Sequence, residues 1–388
     1  MKKTASKIVV GAMTLALVAG CGNNGGGGTT PADDTWKIGV NYELSGGVST
    51  YGQASVAGIE FAVAQINDAG GIDGKKIQII KVDNKSEPAE ATTLTTRLMT
   101  QDKVLTVIGP ATSGNFKATT PVAQENSIPV ISGSATDDAV TVGRDGKVLD
   151  FVFRTCFADS FQGTAMANYA IERLDAKTAV IIKDSASDYA KGLAENFTKT
   201  FVAAGGTIVA EEAYAPKERD FNSILTSIKS KDFDVIYLPG YYEEAGPAIK
   251  QARELGIDVP VLGPDGFDSP VLAQTAGAAA LNNVFFTNHF SALDQDPKVQ
   301  KFLADWKAKH NAEPDAFNAL GYDTMMLVAD AIERASDKTS KGIRDALAAT
   351  EDFDAVTGTL TMDEFHNPMK AITIIELRDG VQYKAEQI

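Results

Sequence analysis

From residue 36 onward the chain alternates apolar runs of strand type with amphipathic stretches of helix type, and the connections between them are only a few residues long. Strand-like runs at 36–44, 76–82, 104–108 and 129–132 are separated by helical spacing at 51–69, at 88–100 and from about 113. Crossovers of this length pair strands in parallel, and a parallel sheet needs helices on both faces. After an apolar run at 151–157 the pattern restarts, with helices predicted at 159–174, 189–203, 220–230 and 242–255. Strands are predicted at 178–183, 207–213, 234–238, 259–262 and 284–287. The last third holds helical stretches at 297–310, 316–335 and 338–349, strands at 357–362 and 371–377, and an Asp379-Gly380 turn that starts a hairpin. Too few strands remain for a third domain. The last elements are therefore expected to complete two α/β lobes, with the chain crossing between them more than once. About 350 residues follow the N-terminal segments, more than a single core usually holds.

The first residues read as a processing signal. Lys2, Lys3 and Lys7 precede an apolar stretch at 8–19, too short to span a bilayer stably. The run 18–21 (VAGC) resembles a bacterial lipobox, which implies a signal peptide over 1–20 and a lipid on Cys21. Residues 21–35, rich in Gly, Asn and Thr, read as a flexible tether. The net charge of −15 becomes about −18 once the three signal lysines are removed, which excludes a nucleic-acid partner and a polybasic membrane surface. Membrane attachment then falls to the lipid. The second cysteine, Cys156, has no partner for a disulfide and sits in the apolar 151–157 run, so it is expected to be a small buried residue.

Two turns concentrate small hydroxyl residues: 108–115 (IGPATSGN) and 131–136 (ISGSAT). Each follows an apolar run and leads into a stretch of helical character. Hydroxyls and free N–H groups at strand ends, with a helix N-terminus pointing in, suit a small carboxylate. Ser and Thr acting as ordinary N-caps is the competing reading.

With these residues in view the whole mature chain resembles the substrate-binding lipoproteins of branched-chain amino acid ABC transporters, the leucine/isoleucine/valine-binding proteins. The resemblance rests on seven segments in order: 69–74 (AGGIDG), 107–113 (VIGPATS), 132–136 (SGSAT), 159–163 (DSFQG), 188–192 (DYAKG), 240–246 (GYYEEAG) and 263–266 (GPDG). It implies a periplasmic binding protein type I fold, two Rossmann-like lobes with parallel sheets joined by a three-strand hinge and a ligand cleft between strand ends. Lobe one maps to 36–156 plus 289–355, and lobe two to 157–288 plus 356–388.

The resemblance also implies roles. Ser113, Ser134 and Thr136 would hold the α-carboxylate and α-ammonium of an amino acid, leucine, isoleucine or valine. Asp265 would pair with the ammonium. Tyr189 and Tyr241 of lobe two would cover the ligand, with Tyr51 of lobe one near the side-chain pocket. Glu243 and Glu244 read instead as a solvated helix start. The implied partners are the permease subunits of an ABC importer and a membrane reached through the N-terminal lipid, and the protein is expected to be a monomer. It would lie at the outer face of a Gram-positive membrane, or in the periplasm of a Gram-negative cell. The same fold binding an amide, urea or aromatic acid, for uptake or sensing, is the alternative. No catalytic residue, cofactor or metal is expected. His289, His310 and His366 lack metal-ligand spacing, and neither a Gly-x-Ser-x-Gly elbow nor a phosphate loop is present.

Overall fold

The computed structural model describes residues 35–388; Cys21, the signal and nearly all of the tether lie outside the described residues. The first half follows the predicted alternation: β1 (Thr35–Tyr42), α1 (Ser49–Asp68), β2 (Lys76–Asp83), α2 (Pro88–Thr100), β3 (Thr106–Ile108), α3 (Ser113–Asn126), β4 (Val130–Ser132) and β5 (Val152–Arg154). The five strands pair in parallel in the order β2-β1-β3-β4-β5. One expectation fails here. No helix follows β4; residues 133–151 form a loop, and their Gly and Asp content supplies no helical apolar stripe.

The second half brings α4 (Asp159–Leu174), β6 (Thr178–Asp184), α5 (Asp188–Ala203), β7 (Thr207–Tyr214), α6 (Asn222–Lys229), β8 (Val235–Tyr237), α7 (Tyr242–Glu254), β9 (Val261–Gly263), α8 (Pro270–Ala276) and β10 (Val284–Asn288). Helix α8 is an addition, marked by Ser269, whose side chain caps Val271 N, and by Pro270 in the first turn. The chain continues through α9 (Pro297–His310), α10 (Ala316–Arg334), α11 (Ser340–Ala348), β11 (Phe353–Ala355), β12 (Gly358–Met362), β13 (Pro368–Met369), β14 (Thr373–Arg378) and β15 (Val381–Gln387). The second sheet runs β15-β14-β10-β9-β8-β6-β7. Its last two strands are antiparallel and joined through Asp379 and Gly380, both at positive φ as a tight hairpin requires. Strands β11 to β13 form a small sheet of their own. The N–H groups of Val356 and Thr357 donate to Asp323 of α10, and Arg154 of β5 donates to Asn367.

The central strands of both sheets are buried on both faces, as those of parallel sheets must be. Ile108, Ile131 and Phe153 face the cluster shared with α1 and α10, while Val107, Val130 and Val152 face Leu98 and Phe116. The second sheet repeats this parity: Val180, Ile182 and Ile236 lie on one side, Ile181, Val235 and Tyr237 on the other. The chain passes from the first sheet to the second at 155–158, returns after β10, and passes again between β13 and β14. Cys156, in the first crossing, is fully buried and its thiol is pushed up to about 12 by that burial, consistent with a packing role.

Helices α1 and α10 approach backbone to backbone. A Cβ on Gly58 would lie 2.0 Å from the Asn318 carbonyl, and one on Gly321 would lie 2.1 Å from that of Ser55. Gly58→Ala is therefore expected to destabilise the fold by about 1–3 kcal/mol, whereas Gly114→Ala, with open space around it, is expected to be neutral or mildly stabilising. Thermal denaturation of both variants checks this; equal melting temperatures would contradict the close approach.

Candidate functional site

The carboxyl ends of the parallel strands of the two sheets face each other across a small, tightly closed cavity lined by Tyr51, Ala111, Thr112, Ser113, Ser134, Tyr189, Tyr241, Asp265, Gly266 and Phe317. Six of the seven side chains singled out from the sequence for ligand binding thus line one space. The seventh, Thr136, is fully buried beside it, and its hydroxyl has no hydrogen-bond partner.

On the first-sheet side, Ser113 opens α3 and its hydroxyl oxygen accepts from Asp137 N at 3.1 Å, which leaves its proton to donate elsewhere. The Ser134 hydroxyl donates to Ala111 O at 2.9 Å. The loop carrying Ser134 and Thr136 is set from behind by Arg154, fully buried, whose guanidinium donates to the carbonyls of Thr136 (2.8 Å) and Asp137 (2.9 Å). Ser132 accepts from Ala135 N at 3.0 Å and donates to Pro110 O at 2.7 Å, tying the two Ser/Thr turns together.

The anion pocket expected at the start of α3 is already occupied. Glu43, fully buried just past β1, accepts from Ala111 N (3.0 Å), Thr112 N (3.1 Å), the Thr112 hydroxyl (2.8 Å) and Asn115 Nδ2 (2.8 Å). The chain's own carboxylate answers the helix N-terminus, so this nest braces the turn. What remains for a visiting group is the hydroxyl of Ser113 and the edge of the 134–136 loop.

On the second-sheet side, Asp265 is buried and its carboxylate accepts from the Tyr189 hydroxyl at 2.6 Å and faces His289 Nε2 at 3.3 Å. Asp159, first residue of α4, is also fully buried. One of its oxygens accepts from Gln162 Nε2 at 3.1 Å; the other has no partner. Gln162 in turn accepts from Asp265 N at 3.0 Å and from the Thr287 hydroxyl, so one side chain spaces both acids. Burial, and then the charge of Asp265, push the Asp159 carboxyl well above the usual carboxylate range. Burial lowers His289 to about 4, against the opposing pull of Asp265, so its ring is neutral near pH 7. Among the described residues no cation lines the cavity.

Aromatic rings form the rest of the wall. Tyr51 stacks on Phe317 at 4.3 Å and meets Tyr241 edge-on at 5.7 Å, and Tyr241 stacks on Tyr189 at 5.1 Å. The Tyr51 hydroxyl donates to Gly266 O and so bridges the two sides. Glu244, expected in solvent, is instead buried; it accepts from Lys217 N and burial raises its carboxyl. Glu243 pairs with Arg219.

Sequence reasoning missed Glu43, Asp159, Gln162, His289 and Phe317 as site residues. A signal existed for two of them: Asp159 and Gln162 stand three apart at a helix start, on one face, directly after the first crossing. Glu43, His289 and Phe317 carry no local mark.

A profile of the family described as periplasmic binding protein matches residues 35–382. Among solved structures, the branched-chain amino acid transporter substrate-binding protein LivJ of Streptococcus pneumoniae, in complex with isoleucine, is 44% identical with a TM-score of 0.87, covering 91% of this chain and 99% of that one. A solute-binding protein of R. palustris in complex with benzoate is 27% identical with a TM-score of 0.81, covering 91% and 95%. The Leu/Ile/Val-binding protein homolog 3 of Brucella melitensis is 31% identical over 328 residues, covering 84% of this chain and 87% of its own length. The leucine-, isoleucine-, valine-, threonine- and alanine-binding protein of Pseudomonas aeruginosa is 28% identical over 333 residues, covering 86% and 87%.

The elevated Asp159 carboxyl has a consequence for stability. Its contribution is fully present below the ordinary carboxylate value of about 3.9 and is lost as pH rises through the higher folded-state value. Asp159→Asn, neutral and nearly isosteric, is expected to raise the melting temperature of the ligand-free protein at pH 7 by roughly 2 °C or more and to flatten its pH dependence above 4. An unchanged or lowered melting temperature at pH 7 would contradict the burial argument.

Proposed function

The chain belongs to the periplasmic binding protein family, and from that premise we propose that it captures a branched-chain amino acid between its lobes and delivers it to an ABC importer. The observation that carries this reading is Asp265 in the wall of a cavity that no cation lines, with a second acid, Asp159, fully buried and linked to it through Gln162. Such a site lacks a positive charge, and an α-ammonium supplies one. The ammonium sits between Asp265 and the unpartnered oxygen of Asp159, with the Thr136 hydroxyl and the Ser134 carbonyl as further acceptors. The carboxylate is taken by the Ser113 hydroxyl and by N–H groups of the 134–136 loop, dipoles that solvate it without a buried cation. The alkyl side chain lies against Tyr51, Tyr241 and Phe317, and Tyr189 covers it while holding Asp265. Each hydrogen bond to a charged group contributes about 1.5–3 kcal/mol, enough together to favour a closed form by hinge motion.

In this reading lobe one comprises 36–156 and 289–355, and lobe two 157–288 and the β14–β15 hairpin. We place 356–370 with lobe one, in contrast to a boundary at 356, because Val356, Thr357 and Asn367 hydrogen-bond to α10 and β5. Cys21 carries a lipid that holds a monomer at the membrane, on the outer face of a Gram-positive cell or in the periplasm of a Gram-negative one. No helix among the described residues is long and apolar enough to cross a membrane. Cys21→Ser is expected to shift the protein from the membrane fraction to the medium or periplasm, with loss of labelling by a fatty-acid analogue; retention in the membrane fraction would refute the anchor.

The benzoate-binding relative makes an aromatic acid the alternative ligand. Asp265 in the wall and Asp159 buried next to it disfavour benzoate, because an anion without an ammonium leaves both uncompensated. Calorimetric titration is expected to give saturable binding of leucine, isoleucine or valine and no heat with benzoate. Asp265→Ala is expected to weaken amino acid binding by about tenfold or more. Affinity within twofold of wild type would remove Asp265 from the head-group site, and benzoate binding in place of amino acids would reverse the assignment.

A further inference from the structure

His289 is the first residue after β10, at the point where the chain returns from the second sheet to the first. Its side chain is 1% exposed. Two contacts define it. Nε2 faces Asp265 Oδ2 at 3.3 Å, and the ring stacks face to face on Phe157 at 3.6 Å with an interplanar angle of 19°. Phe157 belongs to the first crossing and packs against Ala165 and against Ile372 of the third. One imidazole thus touches the ligand-facing acid on one edge and joins the packed hinge on its face.

The chemistry of the contact fixes the ring's state. A carboxylate only accepts, so Nε2 carries the proton and donates, and Nδ1, which has no partner, is the bare nitrogen. A protonated ring would place a second cation where the ammonium is to bind; its depressed value of about 4 keeps it neutral at working pH. Asp265 is then held on both oxygens, by Tyr189 on Oδ1 and by His289 on Oδ2. Tyr189 lies on α5, within lobe two. His289 lies at the hinge, so it alone of the two relates the angle of the carboxylate to the hinge geometry.

We propose that His289 is a positioning residue that sets the orientation of Asp265 and couples capture of the ammonium to packing of the crossing segments. This rests on the reading of Asp265 as an ammonium acceptor. Packing alone would be served by a phenylalanine ring, which stacks on Phe157 equally well; only a donor on the edge facing Asp265 orients the acid.

The experiment is a double-mutant cycle in the full chain, read by calorimetry with leucine and by thermal melting without ligand. His289→Phe keeps the stack and removes the donor. It is expected to melt within about 2 °C of wild type and to bind leucine about tenfold more weakly, the lower end for a hydrogen bond to a charged group because the contact is long. His289→Gln restores a donor and is expected to recover most of that loss. In an Asp265→Ala background His289→Phe is expected to add less than about twofold. Binding by His289→Phe within twofold of wild type, while Asp265→Ala binds poorly, overturns the positioning role and leaves the site reading intact. An equal loss in both backgrounds also overturns it, since His289 would then act independently of Asp265. If Asp265→Ala binds like wild type, the site reading itself falls and this inference with it. His289→Leu serves in the cycle should the phenylalanine variant not fold.

Discussion

A carboxyl group withdrawn from water and left beside a second acid is unfavourable unless something positive comes to it, and the cleft of this protein is built around that condition. Asp159 and Asp265 come from different elements of the second half and are held apart by one side chain, Gln162, which donates to the first and accepts from the backbone of the second. Neither has a cation among the residues lining the cavity. In the proposed reading an ammonium relieves that condition, so the head group would be selected before the side chain.

The same economy governs the first-sheet side. Glu43 fills the amide nest at the start of α3 and Arg154 fills the carbonyls of the 135–137 loop. Each buried charge is spent on holding a turn rigid, so that what faces the ligand is neutral: hydroxyls and backbone dipoles. Under the proposed reading a zwitterion would meet acids at one pole and dipoles at the other, with aromatic rings for its alkyl group.

The cleft is spanned by hydrogen bonds, an ion pair and aromatic contacts, Tyr51 meeting Tyr242 edge-on at 5.0 Å. Tyr51 reaches Gly266, Thr50 meets Ser269 at 3.1 Å, Tyr242 donates to Gly47, and Lys117 pairs with Asp188 at 2.9 Å. The Lys117–Asp188 pair is partly exposed and so contributes about 1 kcal/mol or less.

Local order was legible in the chain. Helices α2 and α4 have the bounds their periodicity predicts, Ser113 opens its helix as expected, and Asp379-Gly380 turns the last hairpin, because i,i+3/i+4 spacing, caps and positive-φ residues act within a few positions. The hydroxyl-rich turns and the tyrosines were also visible, since strand ends of a parallel sheet are where sites form. What the order of residues did not carry is who answers whom across distance. Glu43 braces a turn 68 residues away, Arg154 holds a loop that no helix follows, and His289 reaches Asp265 and Phe157 at once. Those pairings are decided by how two sheets dock and where the chain crosses between them, and burial strengthens them by removing the water that would otherwise satisfy each group alone.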